Sequence, residues 1–141
     1  MAAAGWRVTG IHHVAFAHAD PEAPVRIGTT LGLACVATEA APGFTERMLA
    51  AGDDRLQLLE ATAEGVVQRF VERRGAALHH VAFSVDDLDT ALEELRNRGT
   101  RLLDERARAG GDGTRIAFLH PEACAGLLVE LVDAERAEAR R

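Results

Sequence analysis

The chain has 141 residues, the length of one globular domain, and a formal net charge of −6 at pH 7. An acidic chain without a basic stripe argues against nucleic-acid binding, and no apolar run reaches the ~20 residues that a membrane span requires. The N-terminal residues lack the pattern of a signal peptide, and the two cysteines lack metal-binding or redox spacing, so we expect a cytoplasmic protein with reduced thiols.

The residue types that are missing exclude several kinds of chemistry. The chain has no tyrosine and no lysine, all 16 basic residues are arginines, and Ser84 is the only serine. Schiff-base chemistry, phenolic acid catalysis and a serine triad are therefore excluded. An enzyme of this composition would have to use histidine, carboxylate or cysteine side chains, or a bound cofactor.

A duplicated motif predicts that the chain is built from two similar halves. Residues 10–16 read Gly-Ile-His-His-Val-Ala-Phe, and residues 77–83, which follow at an offset of 67, read Ala-Leu-His-His-Val-Ala-Phe. Self-similarity at a fixed offset indicates a repeated structural unit. The repeat places a histidine pair at equivalent points of both halves, and a shared metal ion explains that placement better than packing does.

The first half is predicted to contain a strand over the motif, then a helix and three further strands. Asp20 is the expected N-cap of the helix and Gly32 its end, because both residue types favour those positions. The last two strands are predicted at 44–50 and 55–61, with a good turn between them. A helix at about 64–74 follows and joins the two halves.

The second half repeats this order. A strand is predicted at 78–85, followed by a helix at 88–98 with Asp87 as its N-cap and Gly99 as the left-handed residue after its end. As in the first half, three further strands follow the helix, and the last two of them are predicted at 114–119 and 127–132.

The predicted fold class is therefore α+β, with two tandem βαβββ units that form a curved eight-stranded mixed sheet around a metal-binding cavity. We expect residues 1–141 to be a single domain, with halves at about 9–61 and 76–133. The charged, alanine-rich tail at 134–141 is expected to be a frayed helical end.

Strand alternation selects the second histidine of each pair as the one that faces the cavity. Residues at i and i+2 of a strand share a face, so His13 shares its face with Ala15, and His80 shares its face with Ala82. These small neighbours leave room for a ligand. The first histidine of each pair is expected to be partly exposed or packed under a helix.

The last strand of each half supplies an oxygen donor. Gln57 and Glu130 stand amid leucine and valine at an offset of 73, which is the repeat offset plus six residues inserted in the loop at 106–113. A glutamate in such apolar surroundings is costly unless a cation pairs with it. With His13 and His80 they make a mixed nitrogen and oxygen site suited to Co, Mn, Ni, Zn or Fe(II). The alternative is two core histidines, a polar amide and an ion-paired glutamate.

Glu46 is a candidate general base. It shares its predicted strand face with Phe44 and Met48, and burial there would raise the pKa of its carboxyl group. The alternative is that Glu46 pairs with a nearby arginine at a sheet edge.

These motifs resemble the vicinal oxygen chelate superfamily and, within it, the methylmalonyl-CoA epimerases. The resemblance covers roughly residues 9–133. The segments that carry it lie at 11–15, 56–60, 78–83, 113–121 and 126–131.

The resemblance implies a function and a set of roles. A methylmalonyl-CoA epimerase interconverts the 2R and 2S forms of its acyl-CoA substrate, and the family's metal ligands fall on His13, Gln57, His80 and Glu130. Its catalytic base falls on Glu46, and Glu130 is the candidate acid/base on the opposite face of the substrate. The resemblance also implies a divalent metal cofactor, with Co²⁺ favoured over Mn²⁺, Ni²⁺ and Zn²⁺, and a homodimer.

Two departures and three rival functions remain. Residues 40–43 and 26–28 differ from the usual family pattern near the expected substrate entrance, so the acyl substituent or its carrier could differ.

A glyoxalase-type isomerase would usually place a glutamate where Gln57 stands. An extradiol dioxygenase normally needs an active-site tyrosine, and a metal-free drug-binding protein of the bleomycin-resistance type has no need of the four metal donors.

Overall fold

The computed structural model describes residues 5–133, and its eight strands belong to one mixed sheet, which confirms the predicted fold class. The strands are β1 (Val8–His18), β2 (Ala34–Ala41), β3 (Phe44–Ala51), β4 (Asp54–Ala61), β5 (Ala77–Val85), β6 (Arg108–Ala109), β7 (Arg115–Leu119) and β8 (Val129–Asp133). The helices are α1 (Ala23–Leu31), α2 (Val66–Arg74) and α3 (Leu88–Asn97), with short 3-10 turns at Gly111–Gly113 and Pro121–Cys124. Within the described residues, no helix is long and apolar enough to cross a bilayer.

The chain divides into two compact units. Unit A is His13–His79, and unit B comprises the described residues up to His12 together with those from His80 onward. The strand order is β2-β3-β4-β1 in unit A and β5-β8-β7-β6 in unit B. In unit A the β1–β4 pair is parallel, in unit B the β5–β8 pair is parallel, and the other strand pairs within each unit are antiparallel. The parallel pairing of the corresponding strands agrees with the predicted repeat.

The helix of unit B packs tightly on its sheet. Leu88, Ala91 and Leu92 of α3 are almost fully buried, and they form one apolar cluster with β7 and β8 residues. Asp87 caps this helix as predicted, because its carboxylate accepts a hydrogen bond from the Thr90 N–H at 3.1 Å. Gly99, after the end of this helix, also has the predicted left-handed conformation.

Helix α1 of unit A differs from its counterpart. It has no buried residue, and its N-cap is Glu22, which makes no side-chain cap. The predicted cap at Asp20 is wrong, because its carboxylate accepts from the Glu22 N–H at 2.9 Å and so closes a turn before the helix begins. The helix begins at Ala23 and holds Pro24 in its first turn, where the missing N–H of proline costs no helical hydrogen bond. The core of unit A instead forms where Val67 and Phe70 of α2 pack on β1 and β4.

Two other segments differ from the sequence-based expectation. The region 106–113, predicted as a loop, contains the short strand β6 and a 3-10 turn. The helical end predicted at 134–141 lies outside the described residues.

A buried histidine of unit A stands where unit B has an apolar residue. His18 on β1 is 1% exposed, and Val85 occupies the equivalent position of the repeat. Burial lowers the pKa of His18 below its ordinary value of 6.5, and the negative charge of Glu60 opposes this shift only in part. The unfolded chain therefore takes up a proton more readily than the folded one, and the free energy of unfolding falls as the pH decreases through 6.5.

We expect His18→Val, which copies the residue at the equivalent position, to weaken this loss of stability in acid. Denaturant unfolding at about pH 8 and about pH 5 measures the change in the free energy of unfolding for each protein. The variant should lose less stability than the wild type between the two pH values. His120→Asn is the control, because His120 lies at the start of a 3-10 turn and asparagine can replace its capping contact. If the wild type and His18→Val lose the same free energy of unfolding between the two pH values, the lowered pKa of His18 is contradicted.

Candidate metal centre

Unit A places a histidine and a glutamine side by side on two parallel strands. Ala15 of β1 is in register with Gln57 of β4, and His13 precedes Ala15 by two residues, so His13 and Gln57 lie on the same face. His13 is 4% exposed and Gln57 is 6% exposed. The neighbouring Ala15 is fully buried and its methyl group takes little space.

Unit B repeats this arrangement with a carboxylate. Ala82 of β5 is in register with Glu130 of β8, and His80 precedes Ala82 by two residues. His80 is 5% exposed and Glu130 is 6% exposed, and His80 Nε2 lies 2.9 Å from Glu130 Oε2. Each unit therefore holds one buried imidazole and one buried oxygen donor in the same register.

The donor chemistry fits a divalent cation. Imidazole nitrogen, amide oxygen and carboxylate oxygen are ligands that first-row divalent metals accept. A buried carboxylate also needs a compensating positive charge, which a metal ion would supply. Each unit thus supplies candidate metal ligands, His13 and Gln57 in unit A and His80 and Glu130 in unit B.

Glu46 lies on the same face of the unit A strands as the donor pair. Met48 of β3 is in register with Gln57, and Glu46 precedes Met48 by two residues in the same strand. Glu46 is half-buried. The adjacent Arg47 points to the opposite face, where it lies 3.2 Å from Glu60. Strand β3 therefore presents Glu46 on the face that carries Gln57.

The first histidine of the second pair packs against a helix, as expected. The ring of His79 meets the ring of Phe70 edge-on at 4.8 Å, and Phe70 belongs to α2. The guanidinium of Arg74 lies 5.4 Å from the centre of the same phenylalanine ring. This environment gives His79 a packing role distinct from that of its neighbour His80.

The structure adds one residue that sequence reasoning did not single out. Phe118 of β7 is in register with Glu130, and its ring meets the His80 ring edge-on at 5.2 Å. Cross-strand register was the signal that could have found it, because a residue directly opposite Glu130 must share its face.

Comparison with known proteins establishes the family. Residues 12–118, more than half of the chain, match the Glyoxalase/Bleomycin resistance protein/Dioxygenase superfamily. The chain therefore belongs to that superfamily.

Closer matches point to one enzyme within it. The chain is 32% identical over 127 residues to an ethylmalonyl-CoA/methylmalonyl-CoA epimerase of Cereibacter sphaeroides, covering 86% of this chain and 95% of that protein. A solved methylmalonyl-CoA epimerase in complex with methylmalonyl-CoA and NH4+ has 36% identity and a TM-score of 0.83, with 90% of this chain and 95% of that chain covered. An uncharacterized Bacillus subtilis protein, YqjC, is 39% identical over 59% of this chain, which spans 60% of that protein's length. These matches confirm the resemblance to the methylmalonyl-CoA epimerases and the predicted enzyme class, an epimerase.

We expect His80→Ala to weaken the binding of Co²⁺ by about a hundredfold or more, because it would remove a candidate ligand itself, and loss of a group that only orients a ligand already costs about ten- to a hundredfold. The visible absorption of Co²⁺ during a titration measures the affinity. His79→Ala is the matched control, since that neighbouring imidazole packs on Phe70 instead. Equal Co²⁺ affinities of His80→Ala and the wild type would contradict the assignment of His80 as a ligand.

Proposed function

We propose that this protein is a metal-dependent epimerase that interconverts the 2R and 2S forms of methylmalonyl-CoA or of a close 2-substituted malonyl thioester. The observation that carries the proposal is the repeated donor pair, one buried imidazole and one buried oxygen ligand in the same register of each unit. The similarity to epimerases supports the reaction type, and a related structure in complex with methylmalonyl-CoA supports an acyl-CoA substrate.

The proposal assigns one divalent cation to His13, Gln57, His80 and Glu130. When bound, such a cation supplies Lewis-acid chemistry, which stabilises negative charge on the thioester oxygen while the α-carbon is deprotonated. The protein's own contribution is to hold the four donors in buried positions and to exclude water from them. Each oxygen donor is supported by a strand paired on one side with the strand that carries the histidine.

Proton transfer is assigned to carboxylates. Epimerisation requires a base that removes the proton next to the thioester carbonyl and an acid that returns one to the opposite face. Glu46 serves one face in this proposal, because it lies on the donor face of β3 beside the Gln57 strand. Glu130 or a water molecule serves the other face.

The other functions weighed from the sequence are less well supported. A glyoxalase-type isomerase would have a glutamate in the place of Gln57, and a metal-free drug-binding protein would have no reason to bury four metal donors. Three finer features are part of the proposal as predictions from the sequence: Co²⁺ as the preferred ion, a homodimer and a cytoplasmic location.

We expect Glu46→Gln to keep Co²⁺ binding and to slow epimerisation by about two to four orders of magnitude, the usual contribution of a general base. Incorporation of deuterium from D₂O into methylmalonyl-CoA, followed by NMR, measures the rate. Glu39→Gln is the matched control, because Glu39 is exposed and lies opposite Glu46 on the neighbouring strand β2. Near-normal exchange in Glu46→Gln would remove Glu46 from the mechanism.

Removal of divalent metal by a chelator should abolish deuterium exchange, and added Co²⁺ or Mn²⁺ should restore it. The reason is that the carboxylate pair alone cannot stabilise the negative charge that develops on the thioester oxygen. Metal analysis of the protein before and after chelation is the control for complete removal. A metal-free protein that still exchanges at the full rate would overturn the metal-dependent proposal.

A further inference from the structure

The carboxylate of Asp104, in the segment after α3, contacts strand β7 beside the candidate donors of unit B. Asp104 Oδ2 accepts a hydrogen bond from the Phe118 N–H at 2.8 Å, and its Oδ1 accepts one from the Nε–H of Arg108 at 3.0 Å. Asp104 therefore holds the arginine at a fixed distance from strand β7.

The arginine is held beside the metal-donor pair by an aromatic ring. The guanidinium carbon of Arg108 lies 5.7 Å from the centre of the Phe118 ring, within the range of a cation–π contact. The same ring meets His80 edge-on at 5.2 Å, and Phe118 is in register with Glu130. A single phenylalanine thus separates a permanent positive charge from the two candidate ligands of unit B.

The guanidinium keeps binding capacity after these contacts are made. Asp104 uses only the Nε–H, and the part of the chain that the structure describes offers no hydrogen-bond acceptor to the two Nη groups. The side chain is 53% exposed. The paired Nη groups of an arginine match the geometry of a carboxylate or phosphate.

Another arginine of the same unit lacks this capacity. Both Nη groups of Arg115 donate to Asp89, at 3.2 and 2.8 Å, and one also lies 3.6 Å from Asp133. The Nη groups of Arg115 are therefore already occupied by ion pairs within the protein. The contrast matters because the chain has a net charge of −6, and a local cation offsets the repulsion of an anionic ligand.

We propose that Arg108 is a substrate-binding residue, which takes an anionic oxygen group of the acyl-CoA thioester through its Nη groups. Phe118 and Asp104 position it. This inference rests on the proposed function. The group bound is either the free carboxylate of the acyl part or a phosphate of the carrier, and both have the same charge-assisted hydrogen-bond chemistry.

Steady-state kinetics of Arg108→Gln test the proposal and identify the anion. With methylmalonyl-CoA we expect the KM to rise about ten- to a hundredfold, the effect of losing hydrogen bonds to a charged group, while kcat changes little. The N-acetylcysteamine thioester of methylmalonate has the carboxylate but no phosphate. A KM that rises with both substrates assigns the carboxylate to Arg108, and a KM that rises with methylmalonyl-CoA alone assigns the phosphate.

Two further variants sharpen this comparison. Arg108→Lys keeps the positive charge but lacks the planar guanidinium with its paired Nη groups, and it should give an intermediate KM. Arg106→Gln removes an exposed charge from the segment just before β6 and should leave the KM close to that of the wild type. An unchanged KM for Arg108→Gln with both substrates, or an equal rise in Arg106→Gln, would overturn the proposal.

Direct binding separates this inference from the proposed function. Calorimetry measures the affinity of the wild type and Arg108→Gln for methylmalonyl-CoA and for propionyl-CoA, which lacks the free carboxylate. A weaker affinity of Arg108→Gln supports the binding role even in a protein that shows no deuterium exchange, in which case only the epimerase proposal fails. Equal affinities for both ligands in the two proteins would overturn the role of Arg108, whatever the exchange rate.

Discussion

The parallel pairing of the first and last strands in each unit is the constraint on which the candidate centre depends. In unit A this pairing brings Gln57 beside His13, and in unit B it brings Glu130 beside His80. A slip of one residue in either ladder would turn the oxygen donor to the opposite face. Because the donors are buried, such a slip would also expose apolar side chains, and the hydrophobic effect therefore fixes the register that the chemistry requires.

The two units keep one imidazole and one oxygen donor in the same register, while their packing differs. Helix α3 buries three side chains, whereas α1 buries none, and His18 occupies a core position that is Val85 in the other unit. Packing is distributed over many contacts, so each unit can tolerate a different solution. The register of a metal donor cannot vary in this way, because only one register places the donor beside its histidine. This difference explains why the repeat is clearest in the strands that carry the histidines.

Local sequence rules predicted the strands and donor faces well and failed where the structure depends on distant contacts. Alternation identified the buried histidines, and cap chemistry found Asp87 correctly. The same rule misplaced the start of α1, because Asp20 closes a turn in a proline-rich segment instead. The position of Arg108 beside Phe118 could not be predicted, since it depends on the pairing of the unpredicted strand β6 with β7 and on the contacts of Asp104 with both. No periodicity encodes a contact of that kind.

The choice of arginine beside the candidate centre has a consequence for side reactions. A thioester is an acyl donor, and an unprotonated amine close to it becomes acylated. A guanidinium stays protonated at physiological pH and is a poor nucleophile. The chain contains no lysine, so no side-chain amine can capture the acyl group. In the proposed enzyme, the arginine would supply positive charge for the ligand without a side-chain amine that the thioester could acylate.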